Sequence, residues 1–191
     1  MGRSDLPKLI QTDDIEKLSK ALRPASDEQG ANASVALVLK LENADISVLF
    51  VKRVENPADP WSGQVAFPGG KRDAEDLNLK QTVIRETFEE TNINLREGCR
   101  FLGVLAVLRS EPRPDMKILP FVVLLEREPS IRLNEKELQG FVWIPLEKIV
   151  RGQGSVKFSF GEVPAYTVGG TVIWGLTYRI LEKFIGILKL V

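Results

Sequence analysis

The chain has 191 residues, of which 43% are hydrophobic, and its 26 basic and 26 acidic side chains cancel to a formal net charge of zero. That length supports one substantial core and is short for two full domains, and the balanced charge supplies no global field for gathering nucleic acid. There is no histidine and a single cysteine, Cys99, which excludes Ser-His-Asp and Cys-His catalysis, histidine-bound zinc and an internal disulfide, and leaves carboxylate-metal chemistry as the main route to hydrolysis.

The opening segment MGRSDLPKLIQTDD carries no apolar run of signal-peptide length, and no stretch approaches an uninterrupted membrane span, so a cytoplasmic protein without membrane contact is expected. Ile15, Leu18 and Leu22 predict a helix that ends before Pro24, with a loop over Ser26 to Asn32. Residues 1–32 thus read as a helix and loop ahead of a domain over 33–191. Ser34 to Leu41 and Ile46 to Lys52 are β-rich runs joined by Glu42-Asn43-Ala44-Asp45, a predicted hairpin. Gln64 to Phe67 is a short strand leading into the turn Phe67-Pro68-Gly69-Gly70 and then an acidic helix. Phe101 to Leu108 and Ile118 to Leu125 follow as strands, separated by a loop with Pro112 and Pro114. Phe141 to Ile144 is a strand, and Leu146 to Val150 starts a short helix. After a glycine-rich connection come strands over Ser155 to Phe160 and Thr171 to Trp174, then a closing helix from Leu176 to Leu190. That last helix is rich in Ile, Leu and Phe, which favours core packing, with a homodimer face as the alternative. Mixed strands and helices in this order predict an α/β/α sandwich with a mixed sheet.

The acidic helix carries the chemistry. Within Arg85-Glu86-Thr87-Phe88-Glu89-Glu90 three glutamates stand at i, i+3 and i+4 and share one helix face. Ile84, Phe88 and the earlier Leu77 fall opposite and are expected to pack into the core. Like charges at that spacing repel by a few tenths of a kcal/mol per pair, a cost that a hard divalent cation on carboxylate oxygens would remove. Arg85 can pair with Glu89 one turn on. The paired glycines ahead of the helix permit positive φ and offer carbonyl oxygens to the same cation.

Together these residues resemble the signature of the Nudix hydrolases: a glycine, five residues, a glutamate, seven residues, Arg-Glu, an apolar residue, any residue, Glu-Glu, any residue, a glycine and an apolar residue. Gly70, Arg85, Glu86, Glu89, Glu90 and Ile93 match it. Fourteen residues separate Gly70 from Arg85 where the pattern has thirteen, and Asp73, Glu75 and Asp76 stand in the region of its first glutamate. This longer spacing looks like the coenzyme A pyrophosphatase branch. Asn92 replaces the terminal glycine, and asparagine is the residue next most tolerant of the left-handed conformation that ends a helix; Thr87 occupies an apolar position. Val48 to Arg53 and Gly63 are similar to the segment that precedes the signature in that branch, although Val51, Val54 and Asp59 replace its threonine, serine and second arginine. Pro120-Phe121-Val122, Trp143-Ile144-Pro145-Leu146 and Ile173-Trp174-Gly175-Leu176-Thr177 are similar to further elements of it.

The resemblance implies a Nudix-type α/β/α sandwich that cleaves the diphosphate linkage of a nucleoside diphosphate derivative with Mg²⁺ or Mn²⁺. Gly70, Glu86, Glu89 and Glu90 would hold the metal. Glu86, Glu89, Arg85 and Glu137 are the catalytic candidates, with the general base open between Glu86, Glu89 and Glu137. Arg53 is the phosphate-binding candidate, and Phe67 and Trp61 could stack on a base. Coenzyme A or a derivative is the first substrate to expect and ADP-ribose or another nucleoside-diphosphate sugar the second. A nucleotide-binding regulatory Nudix domain is the non-enzymatic alternative, and retention of all three glutamates argues against it.

Overall fold

A computed structural model describes residues 12–26, 28, 30–42, 45–58 and 61–189. The predicted turn at Asn43-Ala44, the departure at Asp59 and the start of the N-terminal segment lie outside them.

Strand β1 (Ala33–Glu42) organises the molecule. Its side chains alternate between two apolar layers, as the pleat requires: Leu37 and Leu39 enter one core, Ala36 and Val38 the other. It pairs antiparallel with β2 (Asp45–Arg53) and parallel with β7 (Lys117–Leu125), the long connection that a parallel pair requires running through β2, the acidic helix and four shorter strands. Around this centre lie β3 (Val65–Ala66) and β8 (Leu138–Pro145) on β2, β4 (Gly69–Lys71) on β1, and β5 (Cys99–Val104) and β6 (Leu108–Arg109) on β7, an eight-stranded mixed sheet in all.

One face of the sheet is covered by α2 (Leu79–Thr91), whose Leu79 and Val83 pack against Val38, Leu49, Phe121 and Val123. The other is covered by α1 (Thr12–Ala21), α3 (Leu146–Arg151) and α4 (Gly175–Leu188), with Leu18, Ile149, Leu181 and Phe184 fully buried against Leu37, Val48 and Phe50. The α/β/α layering expected from the element order is therefore the observed one. The closing helix spends its apolar face on this core. The N-terminal helix docks on the same core, its Ser19 hydroxyl donating to the Leu102 carbonyl and the following Arg23 bridging to Val104.

A second, three-stranded sheet of β9 (Gln153–Phe158), β10 (Gly161–Val168) and β11 (Thr171–Trp174) leads into α4. The sequence reading assigns no element to Gly161 to Val168; the structure pairs that segment with both neighbours. The expected glycine turn is likewise a strand, Ala33 to Val35 pairing antiparallel with Gly69 to Lys71.

The largest correction concerns α2. Leu77 is 78% and Phe88 50% exposed, so two of the three residues assigned to the core are turned outward, while Ile84 is partly buried and packs against the core as expected. The buried stripe is Leu79, Thr82, Val83, Thr87, Glu90 and Thr91. Polar residues fill much of it, and an apolar-periodicity argument therefore selects the wrong side.

Candidate active site

Gly69 has φ 145°, and a Cβ there would lie 2.2 Å from the Ser34 carbonyl oxygen. Only glycine allows β4 to press this closely onto β1. The approach brings the Gly69 N–H to Glu90, whose Oε2 accepts it at 2.9 Å. At Gly70 a Cβ would stand 2.4 Å from the Glu86 carboxyl carbon, so the absent side chain leaves the space that carboxylate occupies. The Ser34 hydroxyl donates to the Leu79 carbonyl at 3.1 Å and ties the start of α2 to the same strand. Asn78 caps the helix N-terminus by accepting from the Gln81 N–H. Asn92 closes it at φ 63°, the left-handed conformation expected of it, with its N–H donating to the Phe88 carbonyl.

Arg85 holds the acidic residues in register. Its Nη1 donates to Glu86 at 2.8 Å and to Glu89 at 3.1 Å, while Nη2 and Nε reach the two oxygens of Asp76 at 2.9 and 3.3 Å. The Glu89 pairing was expected; the Asp76 fork was not, because it depends on how Asp73 to Asn78 folds back over the helix. Hydrogen bonding to Arg85 holds the Asp76 carboxyl down at about 2, and the same fork raises Arg85 above its already high range. Burial acts oppositely on the metal-ligand candidates. It raises Glu86, with Arg85 opposing, and pushes Glu90 up to about 8 despite the Gly69 N–H.

The three glutamates do not form one exposed cluster. Glu90 is buried, Glu86 is partly buried at the floor of a cleft of about 290 Å³, and the Glu89 side chain is 53% exposed and lies outside the cleft lining. Glu137 and Arg53 also line the cleft. A register shift between Lys52 and Arg53 in the β2–β8 pairing sets Arg53 at the bulge, and backbone bonds hold the two residues together: the Val54 N–H donates to the Glu137 carbonyl and the Gln139 amide to the Arg53 carbonyl. Asn134, which sequence reasoning missed, donates its backbone N–H to the Glu90 carbonyl and its side-chain amide to Glu137 Oε1, both at 2.9 Å. It thereby links the carboxylate helix to the loop glutamate.

Of the proposed stacking residues, Trp61 lines the cleft mouth with the Arg113 guanidinium 5.4 Å over its ring. Phe67 is 4% exposed and its ring stacks on Phe50 at 5.2 Å, so it floors the cleft as a core residue and turns no free face to a base. Cys99 opens β5 as expected, its thiol donating to the Leu95 carbonyl and pushed up by burial, away from nucleophile behaviour.

Among the described residues no acidic triad converges as a preformed metal cage, because Arg85 holds Glu86 and Glu89 on one nitrogen. The donor set nonetheless fits a hard divalent cation: carboxylate oxygens, with those of Glu86 lying where a Gly70 side chain would otherwise stand. Burial that disfavours the charge on Glu86 and Glu90 is the electrostatic condition such a cation would relieve.

A family model described as the NUDIX domain matches residues 31–160. The chain belongs to the Nudix family. It is 31% identical over 170 residues to the uncharacterized Nudix hydrolase NudL of Yersinia enterocolitica, covering 84% of each. It is 30% identical over 148 residues to the peroxisomal coenzyme A diphosphatase ndx-8 of Caenorhabditis elegans, covering 76% of this chain but 58% of that one, so the chain spans less than two thirds of the nematode relative's length. The NUDIX domain of Shewanella oneidensis NrtR, solved with ADP ribose, superposes with a TM-score of 0.56 at 16% identity over 84% of this Nudix chain and 88% of that one, which shows the shared fold.

Proposed function

We propose that this Nudix protein is a divalent-metal-dependent pyrophosphohydrolase that cleaves the diphosphate linkage of a nucleoside diphosphate derivative, with coenzyme A or a derivative as substrate. The observation that carries the reading is the convergence in one cleft of Glu86, Glu90, the Gly69-Gly70 backbone, Glu137 and Arg53. The coenzyme A preference is supported by the longer Gly70–Arg85 spacing and by the nematode diphosphatase.

Gly70, Glu86, Glu89 and Glu90 would hold Mg²⁺ or Mn²⁺, which neutralises diphosphate charge and lowers the pKa of bound water. The rest is work for the chain's own side chains. Arg53 binds a phosphoryl oxygen. Glu137, oriented by Asn134, accepts the proton of the attacking water within the cleft. Arg85 is a positioning residue, its guanidinium committed to Asp76, Glu86 and Glu89. Water oxygen bonds to one phosphorus as the bridging P–O bond breaks, giving two phosphate monoesters. The work is assigned to the cytoplasm; among the described residues no helix is long and apolar enough to cross a membrane.

The test is hydrolysis of coenzyme A, ADP-ribose, NADH and diadenosine polyphosphates with Mg²⁺ or Mn²⁺, beside Glu86→Gln. Release of phosphopantetheine and an adenosine bisphosphate, lost in the variant, is expected. Preference for ADP-ribose would overturn the substrate assignment, and no metal-dependent turnover of any of them would overturn the hydrolase reading.

A further inference from the structure

The carboxylate cleft, at about 290 Å³, stands at the bottom of the range that encloses a drug-sized ligand. A diphosphate carrying two large substituents would fill it and extend beyond it. A second compartment lies next to it. A hollow of about 380 Å³ on the other side of β3 is lined by Lys52, Gln64, Val65, Phe158, Thr171 and Trp174. Gln64 lines both spaces. The alternation of the edge strands explains the partition: Lys52 and its register partner Val65 face the hollow, whereas Arg53 and Ala66 face the cleft. The Thr177 hydroxyl donates to the Val65 carbonyl at 3.0 Å and fixes α4 to this dividing ridge.

Phe158 and Trp174 give the hollow an aromatic wall, and Phe160 packs beside them. Phe158 stacks on Phe160 with centroids 5.2 Å apart and ring planes 6° from parallel, and Trp174 lies 4.7 Å from Phe158 and 5.8 Å from Phe160. Phe160 is 67% exposed. Three rings gathered at a surface are not accounted for by core packing, and flat π faces with a nearby cation and amide suit a planar heterocycle better than an aliphatic arm, which gains most from enclosure. Lys52 can meet a phosphate or ribose oxygen, and the Gln64 amide can donate to and accept from a base edge.

We propose that the Phe158–Trp174 hollow is a second substrate subsite that stacks the nucleobase of a nucleoside diphosphate derivative, with Gln64 at the crossing from the hydrolytic cleft. This rests on the hydrolase reading of the cleft. It makes Phe158, Trp174 and Lys52 specificity-determining residues.

The test compares the full chain with Phe158→Ser, Trp174→Leu and Thr171→Arg, the last of which fills the hollow while keeping every ring. Kinetics on coenzyme A and ADP-ribose are read beside saturation-transfer NMR of AMP without metal. Loss of a base stack is expected to raise KM by about 5- to 100-fold, with kcat within about threefold, and to abolish saturation of the adenine ring protons. Unchanged KM and unchanged AMP saturation in variants that melt like the parent would overturn the subsite. So would variants that turn a dimer into a monomer in sedimentation while binding AMP as before, which would make the shelf a contact between copies. If the parent hydrolyses neither substrate but AMP saturation is lost in all three variants, the subsite stands and the hydrolase reading falls.

Discussion

Asp76→Asn is expected to destabilise the chain by about 2 kcal/mol at pH 7. The Asp76 side chain is 7% exposed and accepts both the Arg85 fork and the Asp73 N–H. Its pKa falls from 3.8 to about 2, which at about 1.4 kcal/mol per pH unit gives the stated magnitude. The sign follows from the depressed folded value. The contribution is fully present above the unfolded pKa near 3.8 and is lost as pH falls through about 2. Urea denaturation of parent and variant should show a gap constant from pH 7 to pH 4.5 and narrowing below pH 3.8; in thermal melts it is about 4–8 °C for a chain of this size. Activity should fall as well, since Arg85 loses the anchor that aims it at Glu86 and Glu89. Equal stability at pH 7, or a gap that widens on acidification, would refute the role given to the fork.

Gly70→Ala should lower kcat/KM by about 100-fold or more, because its Cβ takes the space of the Glu86 carboxylate, whereas Gly140→Ala, which meets nothing within 4 Å, should leave the rate unchanged; equal rates in the two variants would count against the cradle. Glu90→Gln should raise the metal-free melting temperature at pH 8 while abolishing hydrolysis. Burial raises the Glu90 pKa to about 8, so the native state holds a proton that the unfolded chain has released, and stability falls as pH climbs from about 4.5 to 8; a flat pH dependence in the metal-free parent would contradict this. Asn134→Ala should lower kcat more than it raises KM, as Glu137 loses its amide partner; an unchanged kcat would sever Asn134 from catalysis. Leu18→Ala should cost about 2–4 kcal/mol, because Leu18 is fully buried in the core shared with α4; a loss below about 1 kcal/mol would mean α1 is dispensable.

The sheet's strands were legible in the sequence wherever both faces are buried, since β1, β2 and β7 are long runs rich in Val, Leu and Ile that read as strands even with Pro120 inside β7. Segments whose pairing depends on a distant partner were not. Gly69 to Lys71 forms a strand because Ala33 to Val35 lies beside it, and the local sequence, rich in glycine, signals only a turn. β10, to which the sequence reading gave no element, likewise lies between two partners, β9 and β11. At the site, Gly70, Arg85, Glu86, Glu89, Glu90 and the left-handed Asn92 could be named from spacing, but the pairing of Asp76 with Arg85 and the part of Asn134 could not. Their contacts run from loops that fold back over α2, and loop geometry has no period to read.

The misassigned face of α2 shows how function is built into this helix. A helix selected for stability alone would bury Phe88 and leave its glutamates in water. Here Glu86 and Glu90 are turned toward β4, and the buried stripe includes Thr82, Thr87, Thr91 and Glu90, with Thr87 Oγ1 left without a hydrogen-bond partner. The buried Glu90 and the unpartnered Thr87 hydroxyl cost stability, whereas the Thr82 and Thr91 hydroxyls donate to the Asn78 and Thr87 carbonyls. The offsetting contributions lie at the helix's margins: the Asn78 cap, the Ser34–Leu79 bond, the Arg85–Asp76 fork and the loop bonds from Arg132 and Asn134 to the Thr91 and Glu90 carbonyls. Those contacts fix the helix's rotation about its own axis, and that rotation carries Glu86 and Glu90 to the glycine strand while leaving Glu89 on Arg85. Removing any one of them should therefore disturb metal affinity before it unfolds the chain, an order of failure that a helix held by apolar packing alone would not show.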